Sequence, residues 1–552
     1  MKPLQRTALA SVINLILLGM SSAQAADTQA LEKRIRELET RLAKMDQLER
    51  RLEKLDQAGL LSSKPLALAA PAAPSPEVEK LNRKVNTLER KLEVQDEVTT
   101  GALSKIPNFE AGADGFRVTS TDKKHQLRIG GTLQTDYRTF LGSNAAVWTG
   151  SGSSGYYAPA GPDSVFLRQG RIILDGYVYS DLYFKIMADF AQTSNTANLL
   201  PDAYLDYNYH PAASLLVGKF KPSISLERLQ GDADTVFLER SFASNLAPNR
   251  DAGIQIHGAF GTPGHKAERA AGPIDSKNAF TYQVGISDGT GDSGNSYGNG
   301  VPLNNSTSTS FASDKEFDGR IFAQPFQHSG YSWLEGLGLG IAGSYSDPNH
   351  QAINAQRTLL GQSQFIDYAK QNTITGQTIG TVTSNGASHR IYPQAYWYAG
   401  PFGLMGEYVE STQTLNGGSL AANSKYNNIS QTNKAAQFQV SYVVTGEDNT
   451  FTGIKPMRNF DPLKGSWGAL QLAGRWSELT VDSDTFKILD PSKSVSKATA
   501  ATFGANWFLN KNALIRLDYE QILFNGGAGK DAAHVQNRPS EQIFSSRFQL
   551  AF

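Results

Sequence analysis

From about residue 115 to its last residue, this 552-residue chain alternates polar and apolar side chains with a period of two. Arg516, Asp518 and Glu520 interleave with Ile515, Leu517 and Tyr519; Asp202, Tyr204, Asp206 and Asn208 interleave with Ala203, Leu205, Tyr207 and Tyr209. A soluble sandwich also has one polar and one apolar face. Here the polar faces repeatedly carry full charges, which suits a wet lumen. The apolar faces carry Tyr, Phe and Trp near strand ends, which suits an interfacial girdle. A sheet with one face in lipid must also close, because unpaired edge amides are costly in hydrocarbon.

The alternation divides into sixteen segments, near 125–140, 166–177, 180–190, 202–209, 213–220, 250–260, 279–287, 315–325, 337–346, 389–399, 402–412, 434–445, 466–480, 498–508, 513–523 and 540–552. The fold class expected is all-β: a 16-stranded antiparallel transmembrane β-barrel over 115–552. An even count suits a single-chain bacterial barrel. Short links such as Val178-Tyr179 and Ala399-Gly400-Pro401 alternate with long Gly-, Ser- and Asn-rich ones, which puts the N-terminus on the periplasmic side. Two links at the short-turn end, near 261–278 and 446–465, are longer than this rule expects. The chain closes on an alternating strand ending in Phe552, which resembles an outer-membrane insertion signal. A barrel this wide leaves an aqueous channel, so passive permeation of small solutes is the default function.

The N-terminal fifth reads differently. Residues 1–25 have a basic start (Lys2, Arg6), an apolar stretch and an Ala23-Gln24-Ala25 cleavage site, the pattern of a signal peptide. Over 26–57, Leu31, Ile35, Leu38, Leu42, Met45, Leu48, Leu52 and Leu55 form a heptad seam with one stammer, the mark of a coiled coil. Arg34 to Glu39 resembles the short pattern of trimeric coiled coils. A Pro/Ala linker over 58–77 follows, then a second coiled-coil seam over 78–98 and a connector over 99–114. This α-helical stalk would stand in the periplasm, and its reach suits a tether to peptidoglycan.

Composition narrows the classes further. Fifty-two basic residues balance 52 acidic ones, which excludes a nucleic-acid binder, and no cysteine is present for disulfides, thiolate metal sites or a lipid anchor. After the first 20 residues no apolar run is long enough for a membrane helix. Gly285 to Gly289 matches G-x-S-x-G, and Gly289 to Gly294 matches G-x-G-x-x-G, but neither opens a helix after a strand. The histidines are scattered. We therefore expect no enzyme, no metal and no cofactor.

The connection 221–249 is too apolar for a solvated outer loop: Leu226, Leu229, Val236, Phe237, Leu238, Phe242 and Leu246 need burial. Folding against the inner wall would bury them and narrow the lumen. Asp232-Ala233-Asp234 within it reads as a solvated turn. Runs inside this stretch, KFKPSISLERL (219–229), FLERSF (237–242) and APNRDAG (247–253), resemble the phosphate-selective porin O/P family, as does FLRQGR (166–171). The resemblance covers about 110–552. It implies a homotrimer of 16-stranded barrels in the outer-membrane lipid, whose Arg- and Lys-lined channel strips water from small anions such as phosphate. It also implies that Arg168 and Arg171 are paired channel arginines. Lys219, Lys221, Arg228, Arg240 and Arg250 lie in or beside the constriction loop. Arg128 and Lys185 join them on the expected inner face as channel-lining, anion-binding candidates. Arginine suits oxyanions through its planar fork of donors. Acidic residues nearly balance the basic ones on that face, so charge count alone leaves open a channel for a sugar or organic acid on the same scaffold.

Overall fold

The computed structural model describes residues 106–552, apart from 142–145, 150–155, 160–162, 192–199, 262–277, 290–314, 354, 369–372, 375–376, 379–381, 418–425 and 530, together with parts of a helical stretch between 80 and 94. The signal segment 1–25, the first seam 26–57 and the linker 58–77 lie outside the described residues, as does most of the link 261–278. In the second seam, residues 83–87, 89–91 and 93–94 are helical and exposed.

Sixteen strands among the described residues form one antiparallel ring: β1 Gln126–Phe140, β2 Ser164–Val178, β3 Leu182–Asp189, β4 Asp202–His210, β5 Ala213–Phe220, β6 Asp251–Phe260, β7 Phe280–Ser287, β8 Glu316–Ala323, β9 Leu337–Ser346, β10 Thr383–Ala399, β11 Phe402–Asn416, β12 Ile429–Val443, β13 Ala469–Thr480, β14 Val495–Phe508, β15 Ala513–Gly529 and β16 Glu541–Ala551. Each pairs with the next, and β16 pairs with β1 through Arg547↔Asp136 and Phe548↔Thr135. Phe552 extends the closure, exchanging hydrogen bonds with Gly131 at 2.9 and 3.0 Å. No edge remains in the ring, which is what a sheet in hydrocarbon requires.

The period of two becomes two environments. On β15, Arg516, Asp518 and Glu520 are buried while Leu517 and Leu523 are exposed. Trp397, Phe402, Tyr442, Trp467 and Trp507 gather on the outside at the short-turn end. The Trp397 and Trp507 indole N–H groups donate to the carbonyls of Trp333 and Trp467 at 2.6 and 2.7 Å, so neither polar tip is left bare.

The strands exceed expectation at the long-loop end. β10 begins at Thr383 and β15 runs to Gly529. Gly386, Gly526 and Gly527 adopt positive φ inside these strands, and the ladder shifts register beside them. Gly386 lies in the bulged run of β10, and Gly526 lies opposite the bulge at Ser496 of β14. At the other end, Asn108–Gly112 and Gly115–Thr119 form a hairpin within and just after the expected connector; its second strand pairs with β1 at 126–129, below the end of β16. The ring therefore starts at Gln126.

Among the described residues the connections that enter the lumen include the constriction loop, the β9–β10 connection, the link 446–465 and the β13–β14 connection, whose Ile488 and Leu489 join the same core. The constriction loop carries two single-turn helices, α1 Leu226–Leu229 and α2 Phe242–Asn245. Ile224, Phe242 and Leu246 pack with Leu359, Phe365, Ile366 and Tyr368 of the β9–β10 connection and with wall residues including Tyr392 and Ile522. From the short-turn end, the long link 446–465 inserts Phe451 against Leu226, Phe322, Tyr396 and Met405. Gln230 Nε2 donates to the Phe451 carbonyl at 2.8 Å, tying this link to the loop. The expected apolar burial of 221–249 is thus realised, with other connections supplying partners.

Backbone crowding gives a first prediction. A Cβ on Gly176 would stand 1.8 Å from the Gln126 carbonyl oxygen of the neighbouring strand. Gly176→Ala should cost about 1–3 kcal/mol or more through overpacking. The folded form should then unfold at a lower temperature on heat-modifiability gels; an unchanged transition would refute this.

Candidate functional site: a cationic constriction

The site begins with a local irregularity. Three residues apart on a regular strand, Arg168 and Arg171 would face opposite sides of the sheet. The ladder between β1 and β2 instead pairs Gln134 with Gln169 and Thr135 with Leu167, leaving Arg168 as the extra residue of a bulge. Both arginines then reach the constriction loop. Arg168 grips the Glu239 carboxylate with two hydrogen bonds, at 2.8 and 3.0 Å. Arg171 pairs with Asp189 at 2.7 Å and with Asp232.

Asp232 is the hub. Arg171 from β2, Lys221 and Arg240 from the loop, and Arg250 just before β6 all pair with its carboxylate, Lys221 at 3.2 Å and Arg250 at 3.5 Å. Arg250 also holds Asp202 at 2.6 Å, and Lys185 holds Asp202 at 3.1 Å. The connected set is five cations (Arg171, Lys185, Lys221, Arg240, Arg250) against three carboxylates (Asp189, Asp202, Asp232), a net charge of +2. Burial pushes the Asp232 carboxyl up, but Lys221, Arg171, Arg240 and Arg250 outweigh that and hold it well below the ordinary carboxylate range. The expected solvated turn is therefore a buried anion in a cationic cradle.

The loop's other carboxylates fix its shape. Glu227 accepts from the Ser241 backbone N–H at 2.8 Å, from Ser241 Oγ at 2.6 Å and from Ser244 Oγ at 2.7 Å, and pairs with Arg475 at 3.2 Å. Glu407 on β11 accepts from the backbone N–H groups of Leu226 and Glu227. Arg475 also donates to the Glu239 carbonyl at 2.9 Å and lies 4.5 Å from the Phe237 ring. Glu227 and Glu407 are thus braces of the loop.

Other candidates lie elsewhere. Arg228 donates to the Ser244 carbonyl at 2.9 and 2.6 Å, a contact internal to the loop. Arg128 pairs with Asp175 at 2.8 Å near the short-turn end. Lys219 was expected on the inner face, yet it shares a rung with Ala203 and Ala252, out of phase with the lumenal Asp202 and Asp251. It is nevertheless only 8% exposed. Among the described residues no group of acids and histidines has the geometry of a metal site.

Below the hub, toward the short-turn end, lies a cavity of about 410 Å³ whose charged lining is Asp114, Arg128, Asp234, Lys455, Lys511 and Arg516. The sequence places Asp234 in a solvated turn and gives no signal for Lys455 or Lys511, and the three come from a loop and two links. Burial pushes the Asp234 carboxyl up to about 6, against the pull of Arg516 and Lys221 and with the repulsion of Asp232. Protonation on lowering the pH from 7 to 5 removes a negative charge from this vestibule. The ratio of anion to cation permeability should therefore rise over that interval, and Asp234→Asn should flatten the rise. Selectivity constant between pH 7 and 5 in the unmodified protein would refute the assignment.

The family described as phosphate-selective porin O and P matches residues 158–552. Porin O of Pseudomonas aeruginosa is 24% identical over 425 residues, covering 73% of this chain and 84% of that protein. Among solved structures, OmpT, an outer membrane protein of Vibrio cholerae, aligns with 80% of this chain and 99% of its own at 10% identity and a TM-score of 0.43. OprB of Pseudomonas putida aligns with 77% of this chain and 94% of its own at 9% identity and a TM-score of 0.41.

Proposed function

This chain belongs to the phosphate-selective porin O and P family and is an outer-membrane porin, a channel rather than an enzyme; from that premise we propose that it conducts small anions, phosphate or related oxyanions among them, through the Asp232-centred constriction. The observation that carries the reading is the convergence of Arg171, Lys221, Arg240 and Arg250 on one carboxylate. A carboxylate is itself an oxyanion, so its cradle has the donors an incoming phosphate needs. An entering anion competes with Asp232 for Lys221 and Arg240, while Asp189 and Asp202 keep Arg171 and Arg250 partly neutralised. Sites that attract an ion yet release it are what conduction requires. Built-in competition by Asp232 supplies the release.

In this reading the short-turn end faces the periplasm, residues 1–25 are removed on export, and the helical seams 26–57 and 78–98 form a trimeric periplasmic coiled coil. A homotrimer and a tether to peptidoglycan follow from that arrangement. The test of the anion reading is chloride current through the reconstituted protein with rising phosphate. Phosphate should block the current, and Arg240→Ala should weaken the block about tenfold, the loss of one charge-assisted contact. Absence of block, or block by a neutral sugar instead, would favour a channel for another solute.

A further inference from the structure

The link 446–465 and the residues that follow it have two unlike halves. Glu447, Asn449, Phe451 and Ile454 are buried inside the barrel. The next stretch, 455–467, turns outward. Leu463 is 97% exposed, Met457 72% and Trp467 63%. Exposure of a leucine, a methionine and a tryptophan within one short stretch marks an interaction surface.

This patch is held rigidly. Asp461 and Ser466 form a β-bridge. Pro462–Lys464 is a single 3₁₀ turn closed by Gly465 at φ 70°. Ser466 Oγ donates to the Asn459 carbonyl at 2.7 Å, and the Phe460 N–H donates to the Leu509 carbonyl at 2.6 Å. The Phe460 ring meets those of Trp467 and Trp507 at 5.8 and 5.2 Å. The tip is thereby built onto the outer aromatic girdle. Arg458 and Lys464, both exposed, flank it, and Asp461, which pairs with Lys464 at 2.9 Å, is the one acid of the stretch.

We propose that 455–467 docks onto the anionic phospholipid headgroups of the leaflet at the short-turn end, with Leu463 and Met457 entering the interface and Arg458 and Lys464 contacting lipid phosphates. Apolar side chains beside interfacial tryptophans, ringed by cations, match both the hydrocarbon boundary and the negative headgroup layer. Charge complementarity selects an anionic lipid over a zwitterionic one. The inference rests on the membrane setting of the barrel and not on ion selectivity, so its failure would leave the conduction reading intact.

The chain has no cysteine, so single-cysteine labelling of the full-length protein is clean. Leu463→Cys and, separately, Met457→Cys would carry an environment-sensitive fluorophore in vesicles of phosphatidylcholine with or without phosphatidylglycerol. Blue-shifted emission, quenched by spin-labelled lipid about twofold more in phosphatidylglycerol vesicles, is expected. Adding Arg458→Gln and Lys464→Gln should abolish that difference. Water-like emission quenched by iodide in both vesicle types would overturn the proposal. Lipid quenching indifferent to phosphatidylglycerol would overturn the headgroup assignment. A label shielded from lipid and iodide alike would point to a protein contact and overturn it equally.

Discussion

Asp232→Asn is expected to tighten phosphate block by ten- to a hundredfold. The substitution keeps the side chain's size and removes the one anion that Arg171, Lys221, Arg240 and Arg250 share. Lys221 and Arg240 lose their carboxylate partner, whereas Arg171 and Arg250 keep Asp189 and Asp202. Removing one charge about 7 Å from an incoming anion is worth about 2.4 kcal/mol at an effective dielectric near 20. Single-channel chloride current titrated with phosphate reads the effect directly, and slower release should lengthen each blocked interval. The stability consequence has a fixed sign. Asp232 is held below its ordinary range, so its contribution is present above the unfolded value and fades as pH falls through the folded one. The variant should therefore lose stability at neutral pH and lose less on acidification than the parent. Unchanged or weaker block in a normally folded variant would mean that Asp232 braces the loop and does not compete with the permeant ion.

The second large effect concerns the loop itself. Glu227→Ala deletes the acceptor for Ser241 and Ser244 and strips Arg475 of its nearest carboxylate. Breaking a buried, hydrogen-bonded ion pair from one side costs about 3–5 kcal/mol. The sixteen-strand ring is held by its ladders, so the loss falls on the loop. We expect open-channel conductance to rise several-fold with added current noise, while the heat-modifiable folded form persists. Glu227→Gln, which still accepts hydrogen bonds, should lie between the two. Parental conductance and noise in Glu227→Ala would contradict the role assigned to this brace.

The strands were legible because lumen and lipid impose opposite chemistry on alternate residues, and the sequence carries that alternation through β16. What alternation cannot convey is a change of phase. The bulge at Arg168 lets two arginines three residues apart serve one lumen, whereas Lys219, three residues on from Leu216 in an unbroken register, shares the rung of Ala203 and Ala252. Gly386 and Gly526 read as loop although the ladder continues past them. The constriction loop was legible from its apolar excess, since Leu226, Phe237 and Phe242 have no place in water. Its hub was not. Asp232 sits in a short acidic, glycine-flanked run that reads as a solvated turn, and its partners come from positions 171, 221, 240 and 250. Only the closed ring brings them together. The link 446–465 signalled itself solely by excess length, and Phe451 shows why: it is a lumen-filling segment entering from the opposite end.

Anion preference at the constriction is read from the zero-current potential of the full-length protein in a planar bilayer under a potassium chloride gradient at neutral pH. With a formal net charge of +2 in the connected set, the potential should carry the sign set by chloride and shift toward the potassium sign when Arg171, Lys221 and Arg240 are neutralised together, which leaves two cations against three carboxylates. A potential with the sign set by potassium would contradict the account.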